Sequence, residues 1–414
     1  MANETIWAIA ALSALGVMVR PWKLPEAVWA VSGAAVLIVL GLIPWRDAVG
    51  AVGKGTDVYL FLTGMMILAE LARKEGLFDF LASGAVHLAR GSALRFFALV
   101  YGVGTAVTVL LSNDATAVVL TPAVFAAAKA AKVKNPLPYL LICAFIANAA
   151  SFVLPISNPA NLVIFRERMP ALPQWLQRFA IPSLFSIAVT FAALWLTQRD
   201  SLRERIGIAS EARDLSSGGR ATAYGIGATA ALLMVCSFFG VDLGLPTFIA
   251  GGATACAVLI VTRQNPAPML KDISWEILPL VAGLFVLVEA LARTGVLEAL
   301  IRVVQDAANR SAIAALWGTG SVVAVVCNLV NNLPAGLMAG AAISGSKAPR
   351  QVVDAVLIGV DLGPNLSVTG SLATILWLTA LRRENQHMSA WSFLKLGMLI
   401  MPPALIVAIA GLLI

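Results

Sequence analysis

Long apolar runs separated by short polar breaks set the elements of this chain. In the first half the runs cover 5–20, 27–45, 57–73, 136–165 and 178–197. In the second they cover 221–240, 244–262, 273–293, 354–380 and 391–413. Such runs are the length expected of helices crossing a hydrocarbon core about 30 Å thick. Two further stretches are apolar but interrupted. Segment 94–131 is broken by Ser112, Asn113, Asp114 and Pro122, and segment 311–345 by Asn328, Asn331, Asn332 and Pro334. Their arms read as somewhat short for independent crossings, so each is expected to form a re-entrant helical hairpin with a polar tip. Irregular backbone at that depth needs protein or a water-filled cavity to supply its hydrogen bonds.

The order of elements is the same in both halves, and the sequence repeats with it. Leu62–Ala82 recurs without a gap as Val281–Ile301, keeping Gly64/Gly283, Glu70/Glu289 and Gly76/Gly295. The same spacing carries Ser92 onto Ser311 and Asn113 onto Asn332. Each half makes an odd number of crossings, whether a hairpin is counted as re-entrant or as two spans, so the second half enters the membrane from the opposite side. The expected fold is an all-α polytopic membrane protein of two inverted-topology repeats, each of about five transmembrane helices plus a re-entrant hairpin and a broken helix. Repeats 1–197 and 221–414 are joined by linker 198–220. Placing the N-terminus outside puts most of the 29 Lys and Arg residues in cytoplasmic loops, including Arg199, Arg203, Arg205, Arg213 and Arg220 of the linker. Both termini are then outside.

Composition agrees and narrows the class. Hydrophobic residues make up 59% and charged residues 12%, with mean hydropathy +0.88; a soluble domain carries about 25% charged residues. No soluble domain of useful size remains, and the net charge of +7 reads as loop topology, not nucleic-acid affinity. Thr5–Arg20 lacks a basic n-region and a small-residue cleavage site, so it is expected as a retained span. Cys143, Cys236, Cys256 and Cys327 are scattered in apolar runs and read as small buried hydrophobes, against metalloid-binding thiolates.

Four polar clusters interrupt the apolar pattern. In TVLLSNDATAVVLTP, Ser112, Asn113 and Asp114 are natural N-cap residues before a half-helix, and an ionisable residue inside a membrane is a functional candidate by default. In VLPISNPANLVIF, Pro155 and Pro159 break the helix beside Ser157, Asn158 and Asn161. VVCNLVNNLPAGLMAG is the partner of the first cluster, with Asn332 matching Asn113 but Leu333 standing where Asp114 does. GVDLGPNLSVTGSLATIL partners the second and supplies Asp361, Asn365, Ser367, Thr369 and Ser371. The structural alternatives are a capped turn, a sealed kink and a buried acceptor at Asp361. Glu70 and Glu289 are read as architectural, pairing with Arg73 or Arg293, against a role in proton relay. His87 and His387 are assigned to loops, and Trp7, Trp22, Trp29 and Trp45 to interface anchoring.

The stretches SNDATAVVLTPAVF, PISNPANLVIF and GPNLSVTGSLATILW resemble motifs of the ArsB family of arsenite efflux transporters, in the ion-transporter superfamily that also holds sodium-coupled dicarboxylate carriers. The resemblance extends over essentially the whole chain. It implies export of trivalent arsenic and antimony as neutral hydroxides, driven by protons, across a bacterial or archaeal inner membrane. It also implies a dimerising scaffold domain and, in some organisms, a cytosolic ATPase partner. Where sodium-using relatives carry Ser-Asn-Thr at the hairpin tip, this chain has Asp114. On that basis Ser112, Asn113, Ser157, Asn158, Asn161, Asn332, Asn365 and Thr369 are expected to line the solute site, and Asp114 and Asp361 to carry or modulate protons. No Arg or Lys falls in the clusters, which argues against a dicarboxylate or phosphate site. No cofactor or thiolate-bound metal is expected; the metalloid is held as a hydroxide. The rivals are a sodium/proton or carboxylate transporter of the same superfamily, and a membrane subunit of an ATPase-driven arsenite pump. An enzyme is disfavoured, since no metal constellation, phosphate loop or nucleophile–base pair of known spacing is present.

Overall fold

The structure is a computed structural model that describes residues 2–166, 169–207, 214–346 and 348–414. Arg213, one of the linker arginines, lies outside the described residues. The first half runs α1 (Ala2–Val19), α2 (Glu26–Val39), α3 (Trp45–Gly53), α4 (Thr56–Lys74), α5 (Leu77–Ala89), α6 (Ala93–Leu110), a π-helical turn (Ala115–Leu120), α7 (Thr121–Ala130), α8 (Leu137–Ala149), α9 (Pro159–Ile164) and α10 (Leu172–Gln198). The second runs α11 (Ser217–Phe238), α12 (Gly244–Thr262), α13 (Ala267–Asp272), α14 (Ile277–Ala292), α15 (Val296–Arg310), α16 (Ala312–Val330), α17 (Asn332–Gly345), α18 (Arg350–Leu362), α19 (Leu372–Arg383) and α20 (Ala390–Ala410). Among the described residues eight helices are long and apolar enough to cross a membrane, or nine if the α3–α4 pair, bent by 49°, is one span. The chain is an all-α, multi-pass membrane protein, with large apolar side chains such as Leu12, Val39, Phe239 and Ile260 left exposed on its outer surface.

The residues that the two halves share have physical work to do. Gly76 and Gly295 turn the chain between α4 and α5 and between α14 and α15 at φ 73° and 83°, a region costly for any side chain. Ser92 and Ser311 cap α6 and α16, accepting from the backbone amides of Arg95 (3.3 Å) and Ala314 (3.2 Å). Gly64 and Gly283 let helices cross at backbone contact. A Cβ on Gly283 would sit 2.7 Å from the carbonyl carbon of Ala30 on α2, and one on Gly251 of α12 would sit 2.7 Å from the carbonyl oxygen of Gly64. The α4–α12 and α14–α2 packings thus tie each half to the other, and α10 packs on α20 in the same way.

Four features depart from the sequence reading. Segments 74–93 and 294–310, left between the apolar runs, contain α5 and α15, so His87 sits in the last turn of α5. The first arms of the interrupted segments, α6 and α16, have 18 and 19 residues and are not short; only the second arms are. Glu70 does grip Arg73, through Nε at 2.8 Å and Nη2 at 2.6 Å. Glu289 instead takes Lys54 of the other half at 2.7 Å, while Arg293 pairs with Asp47 at 2.6 Å. Finally, Cys143 and Cys327 are buried as expected, but Cys256 is exposed.

Candidate functional site

Both broken helices are built alike. The α8–α9 break opens after Ala149, passes through a short 3-10 turn at Pro155–Ser157, and restarts where the Asn158 side chain accepts from the Ala160 amide at 3.0 Å. Pro159, at the first helical position, costs no intrahelical bond there. The α18–α19 break turns at Gly363–Asn365 and restarts at Ser371, whose hydroxyl accepts from the Thr374 amide at 3.1 Å. The interrupted segments turn more tightly. Ser112 accepts from the Ala115 amide at 3.2 Å and Asn113 from the Asp114 amide at 2.9 Å; Asn331, at φ 74°, accepts from the Leu333 amide at 3.3 Å.

These four breaks meet. A narrow cavity of about 20 Å³ lies between Asn113, Asp114, Asn158, Pro159, Asn332, Leu333, Ser371, Leu372 and Ala373, with Leu62 of α4 and Ile277 of α14 beside it. It has room for about one water. Among the described residues no Lys or Arg lines it. Asp114 is half-buried and faces the cavity; Asp361 is fully buried one step behind, its Oδ1 accepting from Asn158 Nδ2 at 2.8 Å. The Asn332 amide donates to the Gly370 carbonyl at 2.9 Å, pinning the second tip to the second break.

The structure therefore divides the sequence-named residues. Asn113, Asp114, Asn158 and Asn332 line the cavity. The others are not among its lining residues and hold backbone in place. Ser112 caps its turn. Ser157 donates to the Val109 carbonyl at 3.2 Å, and Thr369 to the Asn328 carbonyl at 2.9 Å. Asn161 donates to the carbonyls of Ser151, Leu154 and Pro155 at 3.0, 3.4 and 3.3 Å. Asn365 donates to the Phe145 carbonyl at 3.0 Å and accepts from Asn148 Nδ2 at 3.0 Å.

Ser371, which lines the cavity, and Asn328, which grips the Ala324 and Gly363 carbonyls at 2.8 and 3.0 Å, are named in the polar clusters without a place in the site, and Asn148 is not named at all. A signal for Asn148 exists, because the register that pairs Asn158 with Ser371 also pairs Asn148 with Asp361. A larger cavity, about 680 Å³, is an apolar groove between α1, α14, α15, α16 and α17 and has none of this chemistry. Among the described residues no group of His, Cys, Asp and Glu is placed to hold a metal ion.

Residues 9–384 match the family described as citrate transporter (CitMHS). The chain is similar to the arsenical pump membrane proteins of Yersinia enterocolitica and Escherichia coli K12, each 26% identical over 92% of this chain and 91% of the relative. An uncharacterized transporter of Mycobacterium tuberculosis is 23% identical over 95% of this chain and 94% of its own length. The fold is similar to that of the YdaH transporter of Alcanivorax borkumensis, with a TM-score of 0.56 at 16% identity, covering 89% of this chain and 87% of that one.

Proposed function

The chain belongs to the citrate transporter family, within the ion-transporter superfamily, and we propose that it exports arsenite and antimonite as neutral hydroxides in exchange for protons. The observation that carries this reading is a cavity lined by Asn113, Asn158, Asn332 and Ser371 with Asp114 at its wall and no cationic side chain. An uncharged trihydroxide offers donors and acceptors to amides and a hydroxyl and needs no counter-charge. Citrate would bring carboxylates towards two acids with no Arg or Lys to offset them. The similarity to arsenical pump membrane proteins points the same way.

In this mechanism deprotonated Asp114 accepts a hydrogen bond from a hydroxyl of the solute, while the asparagine amides fix the other hydroxyls. A proton arriving from outside takes that acceptor away and releases the solute, and its loss to the cytoplasm resets the site. Asp361 orients Asn158 through their hydrogen bond and modulates the proton step at Asp114. The halves 1–197 and 221–414 enter the membrane from opposite sides, which would bring the two interrupted tips together near the midplane, with both termini outside.

A carboxylate reading is favoured by the family's description and by one feature of the site. The first residues of α19, Leu372 and Ala373, line the cavity, where unpaired amides and the helix dipole suit an anion. A third reading makes the chain the membrane subunit of an ATP-driven pump. Purified protein in proteoliposomes, offered arsenite and citrate side by side under a pH gradient without ATP, separates the three. Arsenite transport alone supports export. Citrate transport supports the carboxylate reading, and arsenite transport that appears only with a cytosolic ATPase and ATP supports the subunit.

A further inference from the structure

Helices α5 and α15 hold equivalent places in the two halves but pack differently. α5 lies against α6 and α7 and buries six residues, whereas α15 lies against α16 and α17 and buries none. Beside α15 runs the apolar groove of about 680 Å³. One face of the helix lines it, with Val296, Leu300, Val303, Val304 and Ala307 recurring at helical spacing. The charged Glu298, Arg302 and Asp306 stand exposed on the opposite face.

The lining offers nothing to water or to a polar ligand. Among the described residues no charged side chain lines the groove, and its two hydrogen-bonding side chains, Trp7 and Thr319, are already engaged. The Trp7 indole donates to Thr294 Oγ1 at 2.8 Å, and the Thr319 hydroxyl to the Ala315 carbonyl at 2.7 Å. An apolar cavity of this kind stays dry and takes apolar guests. Its surroundings identify the guest. Val303 and Val322 line the groove and are also 64% and 61% exposed, and Val322 sits midway along the membrane-crossing helix α16. The groove is therefore continuous with the surface that meets hydrocarbon. The charged face of α15 belongs beside headgroups and water, which leaves its apolar face at the depth of acyl chains.

We propose that a membrane phospholipid occupies this groove with one acyl chain, which runs along α15 and reaches the back of the second tip. Pro334 and Ala335 line the groove, whereas Asn332 and Leu333, just before them, line the polar cavity. The chain supplies to α15 the packing that α5 receives from protein, and it couples the segment bearing Asn332 to the bilayer. Acyl chains already cover the surface into which the groove opens, whereas a second copy of this protein would have to insert a protruding apolar segment. The inference goes beyond the export reading, since it requires no particular solute.

The test uses full-length protein in nanodiscs of phosphatidylethanolamine and phosphatidylglycerol, with a small share of phosphatidylglycerol carrying a diazirine within one acyl chain. After irradiation, lipid adducts are mapped by peptide mass spectrometry. Adducts on α15 and α17 are expected to be at least threefold denser than those on Ile260 and Val261, which are exposed on α12. Gly318 lines the groove with nothing beyond its own helix within 4 Å of a Cβ placed there, so Gly318→Phe fills the space without striking backbone. That variant should lose the α15 and α17 adducts at least fivefold and keep those on α12. Val322→Trp, at an exposed position of the same lining, takes its place if Gly318→Phe does not elute as one folded species. Adducts no denser on α15 and α17 than on α12, or unchanged in a folded variant with the groove filled, would overturn the proposal. Oligomers joined through oxidised Val303→Cys, with no lipid adducts on α15, would also overturn it by giving the groove to a second copy.

Discussion

Exchanging the two ends of the Asn158–Asp361 hydrogen bond tests the link between cavity and buried acid. Asn158 does two things: its oxygen caps α9 through the Ala160 amide at 3.0 Å, and its amide donates to Asp361 at 2.8 Å. Asn158→Asp preserves the cap, because Asp and Asn are equivalent there, but it sets an acceptor against an acceptor. With Asp361 ionised, as at alkaline pH where the cycle is run, the lost bond to a charged group is worth about 1.5–3 kcal/mol, and the two carboxylates repel besides. Asn158→Ala loses the same bond together with a cap worth about 1 kcal/mol. In the double variant Asn158→Asp/Asp361→Asn the new amide at 361 donates to the new carboxylate at 158, and the cap survives. A double-mutant cycle read by thermal unfolding in detergent should therefore place both Asn158 variants well below the wild type. The double variant should recover most of the loss, with a coupling of about 1.5 kcal/mol or more. Asn158→Asp as stable as the wild type, or a double variant no better than Asn158→Asp, would refute the geometry.

Other expectations follow from packing and pairing. Gly251→Leu forces a side chain into the Gly64 backbone and should cost more than the about 1–3 kcal/mol of ordinary overpacking, seen as aggregation on size-exclusion chromatography. Gly252→Leu, with open space at that position, should elute as the wild type does. Glu70→Gln weakens the Arg73 grip and should lower the unfolding temperature while leaving the pH dependence of transport unchanged; an altered pH profile would return Glu70 to the proton path. Helix α15 buries none of its residues whereas α5 buries six, so hydrogen exchange should run faster through α15 than through α5, by about tenfold for each 1.4 kcal/mol of lost protection.

Much of the architecture was legible because lipid demands long apolar runs, and a duplicated chain repeats its demands. Gly64/Gly283, Gly76/Gly295 and Ser92/Ser311 recur because close crossings, left-handed turns and helix caps admit few residue types. The helices α5 and α15 were missed because they carry charge and lie between runs. α15 has a polar face, which a search for uniformly apolar segments passes over. Within the site, sequence marks polar residues at depth but not where their hydrogen bonds go. Asn158 and Asn161 sit three positions apart; one lines the cavity and the other ties down a loop. Asn148 is hidden between Ala147 and Ala149, and its side-chain partner Asn365 lies in the other half of the chain. The partner of Glu289 was equally out of reach, since Lys54 comes from the first half.

The central claim is that Asp114 couples arsenite export to protons. It is tested most directly in everted vesicles with an acidic lumen, carrying the wild type or Asp114→Asn at equal abundance and given arsenite without ATP. The account predicts wild-type uptake that collapses with a protonophore, and Asp114→Asn uptake that no longer responds to the pH gradient in a protein that still elutes as one folded species. Coupled uptake by Asp114→Asn at the wild-type rate would contradict it, as would folded wild-type protein that takes up no arsenite.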